Sequence, residues 1–266
     1  EDIDYVVDLA EENDIYIQFL IDDWTRFKNN ESPYINEGES TPAPCESYEE
    51  VFDGENGTHE IYQRKLRYIA ARWGYSVHVL AWEFINEYYG GDWDGVRDWH
   101  DLMCDTLKAK VRPDYLPSGY NMDLWAQPHL TTSSNGNQRL RANAGIDWSH
   151  PQLDIINFHW YNQYSNTWTS LEARNEDGDY FKFEQLGCDN DYPWIDTAVL
   201  VDRLARVQMK RIGWIKPNIW GEYGLGYQSG DWHDAYYKDS LGRNTKDALW
   251  VGILTSQYIN QWKAAW

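Results

Sequence analysis

The order of apolar patterns along these 266 residues predicts an α/β protein with a parallel sheet, and within that class a (β/α)8 TIM barrel. Three observations carry this reading. Short strand patterns alternate with longer helical ones, as they do where crossover helices join parallel strands. The long polar, aromatic and carboxylate-bearing loops follow strands, whereas several helix-to-strand connections are short. A barrel with its chemistry on the C-terminal face reads that way. Finally, two of the strand patterns end in a glutamate, Glu87 and Glu222.

The elements follow in order. Asp2 to Glu12 has a helical pattern. Ile15 to Leu20 (Ile-Tyr-Ile-Gln-Phe-Leu) is a strand that runs into Asp22-Asp23-Trp24. Residues 25–57 are rich in Asn, Glu, Ser, Pro and Gly and read as a long loop, a length that usually signals function. His59 to Trp73 is a helix, because Tyr62, Leu66, Ile69 and Trp73 recur at helical spacing. Val77 to Ile85 is the next strand, with Asn86 and Glu87 at its end. Gly95 to Val111 is a helix with Val96, Trp99, Met103 and Leu107 on one face.

The second half repeats the alternation. His129 to Ser133 holds a short strand, and Asp154 to Tyr161 a longer one. A second long loop covers 162–194, and Ile195 to Ile212 is a helix. Asn218 to Glu222 is a strand, 225–244 a Gly- and Asp-rich loop, Thr245 to Gln257 a helix, and Tyr258 to Trp266 a closing strand. That makes six strands where a closed barrel has eight. The chain is therefore expected to cover about the second helix to the eighth strand. It reads as a single catalytic domain over residues 1–266, N-terminally incomplete, with the first two strands upstream of Glu1.

Composition narrows the function. Hydrophobic residues make up 42% of the chain, enough for a large core. No run of 18 apolar residues occurs, so no membrane-spanning helix is expected. Forty-three acidic residues against 23 basic ones leave a net charge of −20, which argues against nucleic acid as a partner. Such acidity suits solubility in a secreted or salt-exposed protein, with a cationic substrate as the sharper alternative. The 16 Trp and 20 Tyr exceed what a core uses, and aromatic rings in a cleft suit the C–H faces of sugars. Cys104 falls in a helical pattern and reads as a buried thiol. Cys45 and Cys188 lie in polar stretches, where a bridge between them stays open. Sequons stand at Asn30 and Asn56. The seven His lack metal-ligand spacing, so no metal and no cofactor are expected. Gly-rich phosphate loops and a Gly-x-Ser-x-Gly elbow are also missing.

Two carboxylates at the ends of separate strands are what glycosidic cleavage needs. One gives a proton to the leaving oxygen, and the other attacks or stabilises the anomeric carbon. Side chains alternate along a strand, so Glu83, Ile85 and Glu87 share a face, with Glu83 a layer below Glu87. Glu83 reads as structural, with Arg67 or Arg72 as the partner a buried carboxylate requires. Gly221 lets backbone or ligand come close beside Glu222. His159 and Tyr161 share a face. Trp24, Trp93, Trp160 and Trp168 are candidate sugar platforms. Asp22 and Asp23 either bind substrate hydroxyls or cap the segment that follows.

These motifs carry a resemblance. Tyr68-Ile-Ala-Ala-Arg-Trp-Gly-Tyr-Ser76 followed by Ala81-Trp-Glu-Phe-Ile-Asn-Glu87 is similar to a helix-to-strand segment of family-5-like glycoside hydrolases. These are retaining (β/α)8 enzymes with catalytic glutamates after the fourth and seventh strands. Ile219-Trp-Gly-Glu-Tyr-Gly224 resembles their nucleophile motif, and Phe158-His-Trp-Tyr161 their His-x-Tyr. The resemblance covers residues 2–266. It implies Glu87 as acid/base and Glu222 as nucleophile. Asn86 would bond the sugar 2-hydroxyl, with His159 and Tyr161 lining the same subsite and Tyr223 following the nucleophile. Trp266 or Trp262 would stack on the cleaved sugar. The family's nucleophile-contacting arginine has no position in this sequence. A carbohydrate partner is implied, cleaved as a β-linked poly- or oligosaccharide, and the family also allows further β domains in a longer native chain. The short strand count motivates an alternative, a non-catalytic carbohydrate-binding or structural protein on a barrel scaffold.

Overall fold

A computed structural model describes residues 2–29, 31–35, 43–88, 94–108, 129–135, 150–163, 172–174, 180–182, 216–226 and 258–260. The chain divides into two compact units. One holds residues 1–133 and 150–154, the other 134–149 and 155–266.

The first unit opens on helix α1 (Asp2–Glu12), then strand β1 (Ile17–Asp23), helices α2 (Trp24–Lys28) and α3 (Tyr48–Asp53), and helix α4 (Thr58–Trp73). Strand β2 (Val79–Asn86), helix α5 (Asp94–Leu107) and strand β3 (Leu130–Thr132) complete it. The three strands form a parallel sheet in the order β1-β2-β3, as strands joined by crossover helices should. β2 is the central strand and is buried along nearly its whole length. That matches its nearly continuous apolar sequence, Val-Leu-Ala-Trp-Glu-Phe-Ile-Asn.

One face of the sheet packs on helices. Val7 of α1, Ile69 and Trp73 of α4, and Val79 and Trp82 of β2 form a core cluster joined by Ile17, Phe19 and Ile21. The helical face expected on α4 is the buried one, with Tyr62, Leu66, Ile69 and Trp73 inside. On α5, Val96, Trp99 and Met103 are buried as expected, and so are His100 and Cys104. Burying a side chain such as Met103 contributes about 1.5–3 kcal/mol. Among the described helices, none is long and apolar enough to cross a membrane.

The second unit holds β4 (Ser134–Asn135), β5 (Ile156–Gln163), β8 (Asn218–Gly226) and β9 (Tyr258–Asn260), all parallel, in the order β4-β5-β8-β9. An antiparallel pair, β6 (Glu172–Arg174) with β7 (Tyr180–Lys182), stands apart from that sheet.

Each of the six expected strands overlaps a described strand; β8 runs on to Gly226 past the expected end at Glu222, and 261–266 of the expected closing strand lie outside the described residues. The two long loops need correction. Residues 25–57 contain most of α2, all of α3 and a 3-10 turn at Glu55–Gly57, and 162–194 contains the β6–β7 pair. Elements of one or two turns show no periodicity to read, and end groups define them instead. The Asp23 side chain accepts from Thr25 N to start α2, Ser47 Oγ accepts from Glu50 N to start α3, and Gly54 ends α3 at φ 81°. The helices expected over 195–212 and 245–257 lie outside the described residues.

Cys104 is a buried thiol, as expected, and burial pushes its pKa up to about 12. Cys45 is also buried and free, and Cys188 lies outside the described residues.

Candidate active site

The two glutamates have separate settings in different units: Glu87 directly follows β2, whereas Glu222 lies inside β8, which runs on to Gly226 instead of ending at the glutamate as expected. In the first unit, β1 and β2 end together, with Asp23 opposite Asn86 and Asp22 opposite Ile85. Asn86 is 7% exposed and donates from Nδ2 to Asp23 Oδ2 at 2.9 Å. Glu87 follows, half-buried, with φ at 54°. That left-handed conformation costs a non-glycine residue roughly 1–2 kcal/mol. Backbone in such states collects at functional sites, where the surroundings hold it.

Those surroundings are aromatic. Tyr88, 3% exposed, meets Trp24 edge-to-face at 4.7 Å between ring centroids and Phe52 at 6.0 Å. Trp24 also meets Tyr48 at 4.9 Å and is 4% exposed. Expected as a sugar platform, Trp24 is a core residue here that braces the segment just after Glu87.

The two aspartates of β1 separate in role. Asp23 caps α2 and anchors Asn86. Asp22 forms a part-buried ion pair with Lys65 of α4 at 2.7 Å. Burial raises the Asp22 carboxyl pKa, while Lys65 pulls against that rise. Lys65 in turn lies 5.3 Å from the Tyr62 ring centroid and 5.8 Å from that of Tyr34.

Glu83 is 5% exposed and accepts from Gln18 Nε2 at 2.6 Å. The expected arginine partner is a correction. Arg67 is exposed, and Arg72 turns outward to Asp4, its Nε 3.0 Å from Asp4 Oδ1. Gln18 is opposite Ala81 and shares the Glu83 face, which explains the pairing.

In the second unit, the β5–β8 register runs Phe158 opposite Trp220, then His159 opposite Glu222. Gly221 is the extra residue, a β-bulge immediately before the glutamate. The bulge reverses strand parity, so Glu222 takes the register position of the His159 face rather than the opposite one. Tyr161 stands opposite Gly224, and Tyr223 opposite Trp160. His159 is 3% exposed and Asn157 fully buried. A Cβ at residue 221 would lie 2.1 Å from Asn157 Oδ1 and 3.0 Å from His159 Nε2, so only glycine fits. Asn157 was not singled out from the sequence. Its signal was parity, since Asn157, His159 and Tyr161 alternate along one strand. Trp266, Trp262, Trp93 and Trp168 lie outside the described residues. Among the described residues, no group of His, Cys, Asp and Glu is arranged to hold a metal ion.

No family model and no curated protein matches the chain. Solved structures do. The chain is similar to an uncultured Clostridium sp. beta-glucuronidase at TM-score 0.52 and 11% identity, over 97% of this chain and 34% of that one. A GH2 beta-galacturonidase from Eisenbergiella tayi bound to galacturonate matches at TM-score 0.46 and 12% identity, over 78% and 29%. A beta-D-glucuronidase of Dictyoglomus thermophilum matches at 0.43 and 15%, over 77% and 28%. The chain thus spans about a third of the length of the proteins it resembles. At these identities the likeness is one of fold. Nothing in these comparisons carries the family-5-like assignment.

Proposed function

We propose that this chain is the catalytic part of a retaining glycoside hydrolase acting on β-linked poly- or oligosaccharides, on a (β/α)8 scaffold. Glu222 attacks the anomeric carbon, and Glu87 protonates the departing oxygen. Glu87 then deprotonates the water that releases the glycosyl-enzyme. Such a cycle works when the acid's pKa is raised and the nucleophile stays ionised. Asn86, His159, Tyr161 and Tyr223 contact the sugar at the cleavage point, and Trp266 stacks on it.

The observation that carries the reading is the backbone setting of the two glutamates. Glu87 comes directly after β2, and Glu222 lies within β8. Glu87 follows Asn86 in a left-handed conformation, and Glu222 follows a bulge that brings it into register with His159. The fold likeness to a beta-glucuronidase supports it. Since that neighbour is named for a uronide, β-uronides join β-glucans and mannans in the substrate panel.

The test is reducing-sugar release from that panel. Glu87→Gln and Glu222→Gln should each lose on the order of 10²–10⁴-fold in kcat with little change in folding. Proton NMR of the first product should show the substrate's anomeric configuration. An inverted product would refute double displacement, which needs carboxyls about 5–5.5 Å apart, and would favour the roughly 6.5–9.5 Å spacing of inversion. Sugar binding without turnover, unaltered in both variants, would favour a non-catalytic binding protein.

A further inference from the structure

Asp23 uses its two carboxylate oxygens for two different tasks. Oδ1 accepts from the Thr25 backbone N–H at 2.8 Å and so caps α2. Oδ2 accepts from Asn86 Nδ2 at 2.9 Å. The pair forms the last rung of the β1–β2 ladder, and both residues are the final ones of their strands. A carboxylate only accepts, so it admits one orientation of the Asn86 amide, nitrogen toward Asp23 and oxygen away. Asn86 is 7% exposed, and turning its amide over would leave two acceptors facing each other with little water to relieve them. The next residue along the chain is Glu87, at φ 54°.

We infer that Asp23 is a positioning residue: it fixes the orientation of the Asn86 side-chain amide beside Glu87. The inference rests on the reading of Asn86 and Glu87 as substrate-contacting residues. Neighbouring Asp22 cannot substitute for it, because its carboxylate is committed to Lys65 at 2.7 Å.

Two substitutions separate this role from helix capping. Asparagine and serine both cap helices well. In Asp23→Asn, an Oδ1 kept on Thr25 N–H leaves Nδ2 facing the Asn86 nitrogen, donor against donor, and the Asn86 amide turns over. Asp23→Ser keeps the cap and removes the second acceptor. Both variants should keep the melting temperature within about 4 °C of the parent. Both should lose roughly 10- to 100-fold in kcat, the scale of a hydrogen bond to a charged group, with KM changed much less.

A second readout does not depend on turnover. In 15N-labelled protein, the Asn86 side-chain amide signal is assigned by its disappearance in Asn86→Ala. Its hydrogen exchange should quicken roughly tenfold or more in Asp23→Ser, where the bond to the carboxylate is lost. An Asn86 amide exchanging at the parent rate in Asp23→Ser overturns the inference, and so does a changed amide with parental kcat. If the parent protein cleaves no glycoside, the functional reading fails, and amide exchange alone decides whether Asp23 orients Asn86.

Discussion

Gly221 shows how little room a single residue can leave. A methyl group there would stand 2.1 Å from Asn157 Oδ1 and 3.0 Å from both Asn157 Cγ and His159 Nε2. Gly221→Ala should therefore cost about 1–3 kcal/mol in urea unfolding, the range for an overpacked interior. Gly221→Ala combined with Asn157→Ala should recover part of that loss, because the closest contact is the Asn157 tip. Equal losses in the single and double variants would refute the packing account. The Trp220-Gly221-Glu222 motif was legible as a close-approach site beside a carboxylate. The bulge was not, because it is a mismatch of count between two strands, and only the β5–β8 pairing reveals it. Glu83 teaches the same point. Parity assigned its face correctly, yet its partner, Gln18, stands 65 residues earlier on the neighbouring strand.

At the scale of an element, α5 joins the sheet through a buried polar contact. His100 is fully buried, its Nδ1 2.9 Å from Val96 O and its Nε2 2.9 Å from Ser133 Oγ. The carbonyl can only accept, so Nδ1 carries the proton and Nε2 accepts from the serine hydroxyl. Burial pushes the His100 pKa from 6.5 down to about 3. The unfolded chain therefore takes up a proton as pH falls below 6.5, and the native chain refuses it until about 3. Stability is complete above pH 6.5 and is lost progressively as pH falls toward 3, by at most about 1.4 kcal/mol per unit. His100→Asn should flatten that slope between pH 6.5 and 5, where few carboxylates titrate. Parallel slopes in urea melts of parent and variant would count against it. The apolar face of α5 was legible from its spacing. The burial of His100 and Cys104 was not, because a polar residue at a helix position gives no sign of the partner awaiting it, here Ser133 and Thr131.

For the whole molecule, charge is the leading quantity. A net charge of −20 on 266 residues means self-repulsion in the compact state. Raising ionic strength from about 0.01 M to 0.15 M shortens the screening length from about 30 Å to about 8 Å. The melting temperature should therefore rise over that range at neutral pH. A scanning-calorimetry series showing a fall instead would mean that specific ion pairs, such as Lys65–Asp22 and Lys108–Asp154, outweigh the general repulsion. Across the chain, what local pattern specified was the order of parallel strands, the buried faces of α4 and α5, and the end of β2 before Glu87; the end expected at Glu222 falls inside β8. Periodicity and parity are properties of a few consecutive residues, so they survive without any knowledge of neighbours. Which residues meet was decided by register between strands far apart in sequence. Asp23 reaches Asn86, Gln18 reaches Glu83, and Gly221 yields to Asn157 because paired backbones bring these positions level.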